Sequence, residues 1–287
     1  MSCDWLLVDG SSMIFRAFYG VPPGNPVPDG FHVNAVRGFL ERLARLIAQR
    51  RPRHLAVADD DDWRPDWRVE LIPTYKSHRV AEPVPPGLEP QLPVIRDLMA
   101  AIGVDMAGLA DHEAEDVIAT WARLAAGTIE IASGDRDLFA LVETPRVCVL
   151  YPEKAGLAVI DEDEVTRRYN IPPRRYADFA ILRGDPSDGL PGLRGVGAVT
   201  AAGMIRRHGD IAGVLRDRQF GDADREYLEA AMRVVPPVSD LPIELPAGRR
   251  DAYPVDETAM QALAERYGVR DACARLVGAL GRVASGR

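Results

Sequence analysis

Three short apolar segments of this chain are each closely followed by aspartates, and longer amphipathic segments separate them. The apolar segments are rich in aliphatic and β-branched residues, which is typical of buried strands, whereas the separating segments repeat their apolar residues with the period of a helix. Strands alternating with helices predict an α/β fold with a mainly parallel sheet flanked by helices. The predicted strands are Trp5–Val8, Leu55–Ala58, Ile129–Ala132 and Arg146–Leu150, with a shorter one at Val104–Met106, and the helical stripes cover 36–47 and 114–125.

The aspartates after these strands are expected to lie close together. Asp9 follows the first strand, Asp59 follows the second, and Asp135 and Asp137 follow the third. The carboxyl ends of parallel strands share one edge of the sheet, where α/β proteins place their binding sites. One aspartate after a strand is common in turns, so the prediction of a carboxylate cluster depends on three strands showing the same pattern.

Two further acidic groups have both a structural and a functional interpretation. Glu113, Glu115 and Asp116 open the second predicted helix, where acids also complement the helix dipole. Glu113 and Glu115 lie about 160–200° apart around the helix axis, so they converge on one ion only if the helix end points at it. Asp185 and Asp188 lie in a segment of Gly, Pro and Ser whose composition is also that of a plain turn.

A glycine-rich segment follows these acids and leads into another predicted helix. Gly195 and Gly197 resemble part of a dinucleotide-binding loop, but Thr200 stands where the third glycine would be and no strand precedes the segment. A helix–hairpin–helix loop fits better, because Gly192 and these two glycines would let backbone N–H groups approach a phosphate, with Arg194 beside them. A plain glycine-rich connection between helices stays open as the alternative.

The composition excludes several classes of protein. The 287 residues, of which 47% are hydrophobic and 27% charged, describe a globular chain of one large or two modest domains. No apolar run reaches the eighteen or so residues of a membrane span, and no signal sequence is evident. Cys3, Cys148 and Cys273 match no metal or redox spacing, which indicates a reducing cytoplasm. The net charge of −8 argues against nucleic-acid binding driven by overall charge, although many acids lie in the motifs above.

Six motifs, in order, resemble the bacterial 5′-nuclease family, which comprises the 5′-nuclease domain of DNA polymerase I and its free-standing flap-endonuclease relatives. They are VDGSSMIFRAFYG, VADDDDWRPDWRVELIPTYKSHR, QLPVIRDLMAAIG, HEAED, SGDRDL and GDPSDGLPGLRGVG. No polymerase domain follows Arg287, so the free-standing form is expected. The resemblance implies a PIN-like α/β nuclease core at 1–175 with a helical arch at about 63–93. It also implies a C-terminal helical DNA-binding region at 176–287 with a hairpin motif at 184–208.

The resemblance implies hydrolysis of phosphodiester bonds at the 5′ ends and 5′ flaps of branched DNA, in replication and repair, by a two-metal-ion mechanism. Carboxylates without Cys or His suit Mg²⁺ or Mn²⁺ rather than zinc, and a monovalent K⁺ is a further expectation at the hairpin motif. The implied metal ligands are Asp9, Asp59, Glu113, Glu115, Asp116, Asp135, Asp137, Asp185 and Asp188, with Asp9 and Asp135 also expected to be essential for catalysis.

Basic and aromatic residues supply the implied DNA contacts. Lys76 and Arg79, one turn apart if helical, would face the scissile phosphate, and a solvated helical face is the alternative for such a pair. Arg16 and Tyr19 would contact phosphate and stack on a terminal base. The full set is Arg16, Tyr19, Arg68, Tyr75, Lys76 and Arg79, together with Gly192, Arg194, Gly195 and Gly197 of the hairpin.

The chain departs from the family pattern at several positions. Glu115 stands where the family has Asp, Gly189 stands where it has Asn, and Val199 replaces a lysine that would contact phosphate. The acidic run Asp60–Asp62 next to Asp59 is expected to be a solvated loop, with one of its members as an alternative ligand.

Two other functions are weighed against the nuclease. A PIN-like metal-dependent ribonuclease would share the acidic edge but lacks the hairpin and arch motifs. A non-catalytic module that binds branched DNA would lack metal ligands, whereas every expected position here carries an acid. We also expect a cytoplasmic monomer without membrane association, with a DNA polymerase or a ligase as candidate protein partners.

Overall fold

The computed structural model describes residues 3–81 and 84–284 and contains one six-stranded sheet. The strands, in the spatial order β3-β2-β1-β4-β5-β6, are β1 (Trp5–Asp9), β2 (His54–Ala58), β3 (Asp105–Ala107), β4 (Ile129–Ala132), β5 (Val147–Glu153) and β6 (Gly156–Ile160). Strands β1 to β5 run parallel, and only β6 pairs antiparallel, with β5. The predicted mainly parallel sheet is confirmed.

Helices cover both faces of the sheet, and those from α7 onward follow the last strand. They are α1 (Gly10–Gly20), α2 (Asn34–Arg50), α3 (Asp66–Leu71), α4 (His78–Ala81), α5 (Gln91–Ile102), α6 (Ala114–Leu124), α7 (Glu162–Tyr169), α8 (Tyr176–Arg183), α9 (Ala198–His208), α10 (Ile211–Asp217), α11 (Asp222–Val234), α12 (Glu257–Arg266) and α13 (Arg270–Ala284). Within the described ranges, none of them is long and apolar enough to cross a lipid bilayer.

Side-chain alternation along the strands divides the core into two layers. In β2, Leu55 and Val57 pack in the layer of α2 and α5, whereas Ala56 and Ala58 pack in the layer of α6. Strands β1, β2 and β4 are buried on both faces, which explains why their sequences are continuous apolar runs. The same alternation decides to which face a residue just beyond a strand points.

Helix α1 begins directly after β1 and is not among the elements predicted from sequence, because its Gly-Ser-Ser start resembles a loop. Asp9 is its N-cap, and the Oδ1 atom of Asp9 accepts a hydrogen bond from the Ser12 N–H at 2.9 Å. Gly10 leaves no space for a side chain, since a Cβ there would lie 2.7 Å from the Ala58 carbonyl oxygen. The short connection therefore holds Asp9 at the sheet edge.

After the last strand, the chain forms a helical hairpin and ends in two helices that pack against the helices on one face of the sheet. Helices α8 and α9 flank the segment 184–197, which carries the glycine-rich motif. Helices α12 and α13 then pack against α5 and α2. Buried Cys273 and Leu276 of α13 share a core with Phe39 and Leu43 of α2. Helices α12 and α13 thus complete the helical layer on one face of the sheet.

Candidate active site

A cavity of about 580 Å³ opens at the carboxyl edge of the parallel strands, and five separate segments of the chain bring acids to it. These acids are Asp9, Asp60, Glu113, Glu115, Asp135, Asp137, Asp185 and Asp188. The convergence follows from the fold, because β1, β2 and β4 end side by side and α6 starts at the same edge. Seven of the nine acids predicted as metal ligands line this cavity.

Backbone and hydroxyl groups orient the acids in the middle of the cavity. The Ser133 hydroxyl donates to Asp9 Oδ2 at 2.5 Å and accepts from the Asp135 N–H at 2.9 Å. Asp135 Oδ1 in turn accepts from the Asp137 N–H at 2.9 Å. Glu115, Asp135 and Asp137 each place one carboxylate oxygen within 4.8 Å of the others, a spacing that fits a single metal ion.

Arg68 joins the three acids at the start of α6. Its guanidinium contacts Glu113, lies 3.0 Å from Glu115 Oε1, and donates to Asp116 Oδ1 at 2.7 Å. The Tyr75 hydroxyl donates to Glu113 Oε2 at 2.6 Å. The Arg68 side chain is 0% exposed, and neither Arg68 nor Tyr75 lines the cavity, whereas Lys76 does. The sequence predicts that both residues contact DNA, and in this structure they hold acidic residues in place.

Asp116 differs from its prediction as a metal ligand. It is fully buried and does not line the cavity. Besides Arg68, the carboxylate accepts hydrogen bonds from the backbone N–H groups of Val238 at 2.8 Å and Glu113 at 3.4 Å. Because these donors occupy both oxygens, Asp116 ties the start of α6 to the C-terminal half of the chain.

Asp59 also differs from its prediction, and Asp60 takes its place in the cavity. Asp59 follows the alternation of Val57 and points to the α5 layer, where Arg96 Nε donates to its Oδ2 at 2.6 Å. Asp60 points to the α6 side, and its Oδ1 accepts from the Ala114 N–H at 2.6 Å. The expectation that Asp60 is part of a solvated loop is therefore wrong.

Two basic residues of the predicted arch, Lys76 and Arg79, line the cavity. Lys76 is 3% exposed, and its ammonium contacts Glu113 and lies 3.7 Å from Asp188 Oδ1. Arg79 donates to the Trp63 carbonyl oxygen at 2.6 Å and lies 3.5 Å from Glu113 Oε1. Over residues 63–81 the predicted arch forms two short helices, α3 and α4, and Lys76 precedes α4 with a left-handed φ of 44°. Residues 82 and 83 of the arch lie outside the described residues.

The segment with Asp185 and Asp188 packs directly against Lys76. The Lys76 N–H donates to the Asp188 carbonyl oxygen at 2.9 Å. A Cβ at Gly189 would lie 1.9 Å from the Thr74 carbonyl oxygen, and the φ of Gly189 is +69°, so this contact requires glycine. This close contact with Thr74 explains why Gly189 stands where the family has Asn.

The hairpin glycines differ in their surroundings. A Cβ at Gly192 would lie 2.4 Å from the Gly184 nitrogen, so this residue closes the turn. Around Gly195 and Gly197 the space is open, and Gly197 caps α9 without a side-chain hydrogen bond. Arg194 is exposed beside them. The start of α9 therefore presents backbone N–H groups to solvent.

Arg16 and Tyr19 both lie on α1, but only Tyr19 lines the cavity. Tyr19 is 73% exposed and lines the opening. Arg16 is also exposed but lines a neighbouring pocket rather than the cavity itself.

Sequence reasoning missed two arginines beside Asp185. Arg183 Nη2 lies 3.0 Å from Asp185 Oδ2, and Arg136 Nη2 lies 3.4 Å from the same atom. Arg136 stands between Asp135 and Asp137 of the SGDRDL motif, and this position in the sequence indicates that it belongs to the site. Arg183 carries no comparable signal, since it only ends the helix before the acidic segment.

Burial and crowding disfavour the charged form of the central acids. Burial, with repulsion from Asp60, raises the pKa of Asp9 to about 7. Burial and neighbouring carboxylates also raise the pKa of Asp135 and, more strongly, of Asp137. For Glu113 burial works in the same direction, but Lys76 and Arg68 outweigh it and lower the pKa.

The family follows from comparison with known sequences. Residues 4–170 match the family described as "5'-3' exonuclease, N-terminal resolvase-like domain". Residues 171–240 match the family described as "5'-3' exonuclease, C-terminal SAM fold". The chain belongs to the 5′-3′ exonuclease family. The exonuclease is 43% identical over 302 residues to a 5′-3′ exonuclease of Streptomyces coelicolor, which covers 95% of this chain and 98% of the relative. It is 43% identical over 314 residues to a 5′-3′ exonuclease of Mycobacterium tuberculosis, with 98% of each chain covered.

A solved structure supports the fold of the exonuclease. The flap endonuclease of bacteriophage T5, in a complex with DNA and metal ions, superposes with a TM-score of 0.65 at 16% identity. The match covers 98% of this chain and 99% of the phage protein. The family matches confirm the resemblance stated from the six motifs, and the superposition confirms the α/β fold with a C-terminal helical part.

The raised pKa values predict that the metal-free exonuclease loses stability as pH rises. Its folded state holds protons on Asp9 that the unfolded chain releases, between the ordinary pKa of 3.8 and about 7. We expect thermal scans in EDTA to give a Tm about 3–8 °C lower at about pH 8 than at about pH 5.5. Mg²⁺ should restore stability mainly at the higher pH. A metal-free Tm that increases over this range would contradict the electrostatic account.

The positions of Asp59 and Asp60 predict that substitution of Asp60 lowers kcat strongly, whereas substitution of Asp59 changes it little. Asp60→Asn removes a charge from the cavity and should lower kcat on a 5′-flap duplex by about 100-fold or more, whereas Asp59→Asn should change kcat less than about threefold. Circular dichroism of both variants controls for folding. A larger loss in Asp59→Asn would show that the alternation beyond β2 has been assigned to the wrong face.

Proposed function

We propose that this exonuclease hydrolyses DNA phosphodiester bonds at 5′ ends and 5′ flaps with two or more divalent metal ions bound in the acidic cavity. The proposal includes the cut of a flap near its junction with the duplex, as in replication and repair. It rests above all on the distribution of charge in the cavity.

Four acids in the middle of the cavity form no ion pair with any described residue, and this observation carries the proposal. They are Asp9, Asp60, Asp135 and Asp137. The acids around them have protein cations: Glu113 pairs with Lys76 and Arg79, and Asp185 pairs with Arg136 and Arg183. Several buried carboxylates without a counter-charge are costly. The deficit of positive charge supports bound cations at this place.

The donor chemistry fits hard divalent ions. Carboxylate oxygens from several segments, without Cys or His, are the ligands that Mg²⁺ and Mn²⁺ prefer. Glu115, Asp135 and Asp137 would hold one ion, with Asp9 and Asp60 available toward another. Ions bound there would supply the activation of water and would neutralise charge on the leaving oxygen.

Protein cations then act on the phosphate. Lys76 and Arg79 are expected to donate to the non-bridging phosphate oxygens, whose negative charge grows in the transition state. Lys76 is well placed for this because burial excludes water around its ammonium, and contact with Glu113 and Asp188 keeps the group charged. Although burial alone would lower its pKa, Tyr75 and the neighbouring acids raise it well above the ordinary value.

The hairpin is proposed to hold the duplex. The exposed N–H groups at the start of α9, with Gly195, Gly197 and Arg194, support contacts to the phosphates of one strand.

The proposal has finer parts as well. They are a K⁺ ion at this hairpin, a preference between Mg²⁺ and Mn²⁺, and a polymerase or ligase as partner. The domain boundary near residue 175 is also part of the proposal. The packing of α12 and α13 on α5 and α2 supports assigning these two helices to the nuclease core rather than to the DNA-binding region.

The first test is cleavage of a 5′-labelled flap duplex in Mg²⁺, Mn²⁺ or EDTA. Asp135→Asn and Asp9→Asn should each lower cleavage by about 1,000-fold or more while the fold is retained, because each removes a carboxylate from the metal cluster. Asp163→Asn, an exposed acid of α7, is the matched control and should retain activity. Normal turnover in either cavity variant would refute the assignment. Faster cleavage of an RNA strand than of the DNA flap would favour a ribonuclease.

The second test separates catalysis from binding at Lys76. Lys76→Ala should lower kcat by about 100-fold and change the Kd for flap DNA less than about fivefold, since the ammonium acts mainly on charge that develops in the transition state. The chain has one other lysine, Lys154, exposed in the turn between β5 and β6, and Lys154→Ala is the matched control. Equal losses in kcat and affinity would exclude this role.

A further inference from the structure

A second pocket, of about 320 Å³, lies next to the acidic cavity and has the opposite charge. Three arginines line it: Arg16 from α1, and Arg42 and Arg45 from successive turns of α2. The two recesses share Ser12 and Gly134 in their walls. The sequence motifs point only to Arg16, since the other two arginines lie on the amphipathic helix α2.

The three arginines form no ion pair with any carboxylate in the described part of the chain. Arg42 donates one weak hydrogen bond, to the Arg16 carbonyl oxygen at 3.4 Å. The acid that lines the pocket, Glu153, is 2.8 Å from Arg168 and is therefore already paired. Burial, followed by repulsion from Arg16 and Arg45, lowers the pKa of Arg42. The pocket thus concentrates positive charge that an anion would neutralise.

The pocket adjoins the centre of the acidic cavity. The Ser12 N–H donates to Asp9, and the Ser12 hydroxyl accepts from the Gly134 N–H at 3.0 Å. A Cβ on Gly134 would lie 3.8 Å from Arg16 Cδ, so the Arg16 side chain runs beside the residue that precedes Asp135. A strand that passes the acids could therefore place a neighbouring phosphate among the arginines.

We propose that this pocket binds the terminal 5′-phosphate of the DNA strand that is cut, which rests on the proposed function. A terminal phosphate carries nearly two negative charges and three acceptor oxygens, whereas a phosphodiester carries one charge. Guanidinium groups bind such oxygens through paired N–H donors. Three unpaired guanidiniums in one recess match a terminal phosphate better than an internal one. The pocket thus gives the enzyme a means of recognising phosphorylated 5′ ends.

The test measures binding without cleavage, so that its failure is distinguishable from failure of the proposed function. In EDTA, fluorescence anisotropy compares duplexes with a short 5′ overhang that ends in either a phosphate or a hydroxyl. The wild-type protein should bind the phosphorylated end about tenfold more tightly. Arg42→Gln/Arg45→Gln should reduce this preference to less than about twofold. The matched control is Arg275→Gln, since Arg275 on the neighbouring α13 is exposed but pairs with Glu41 at 2.8 Å, and it should retain the preference.

Further variants and a competitor complete the test. Thermal scans of the double variant check that it is folded, and Arg42→Lys/Arg45→Lys should retain part of the preference, because the charge remains while the paired donors are lost. Equal wild-type affinity for the two ends would overturn the proposal, as would an unchanged preference in the double variant. Inorganic phosphate is added as the competitor. If it binds through Arg42 and Arg45 while the two DNA ends bind equally, the pocket holds free phosphate and the proposal is wrong.

Discussion

The contact between Arg68 and three carboxylates of the α6 start is the interaction on which the site depends. One fully buried guanidinium bridges Glu113, Glu115 and Asp116, although it lies 45 residues before the first of them. Without this cation Glu115 and Asp116 would lose their only arginine or lysine partner among the described residues, and Glu113 would keep only Lys76 and Arg79. With it, α6 points its acidic end at the sheet edge, and Glu113 and Glu115 reach the same cavity despite their separation around the helix.

The two halves of the site are joined by backbone as well as by charge. Lys76 donates its N–H to the Asp188 carbonyl oxygen, and Gly189 allows the chain at Thr74 to approach to contact distance. Asp116 accepts from the Val238 N–H, which links the start of α6 to the C-terminal helices. Because these bonds join distant segments, the geometry of the acids is fixed by the whole fold rather than by any one motif.

Sequence is informative where a residue's position follows from local pattern. Asp9 and Asp135 are predictable at one edge because the apolar strands before them are visible in the sequence, and the structure brings both to the cavity. Asp59 and Asp60 cannot be separated in this way, since a shift of one residue beyond a strand exchanges the two faces of the sheet. The ion pairs of Arg68 could not be predicted in this way, because its buried partners are distant in sequence and only the tertiary fold shows them.

The use of two different cations in one site has a physical reason. Arg68 reaches three carboxylates through the separate nitrogens of its planar guanidinium, a spread that the single nitrogen of a lysine ammonium does not have. Lys76 instead presents a compact charge on a flexible stem, and it is one of only two lysines in a chain rich in arginine. In the proposed function, this compact ammonium would turn from Glu113 toward a phosphate. Arginine thus builds the acidic cluster, and lysine is the cation proposed to exchange partners when substrate binds.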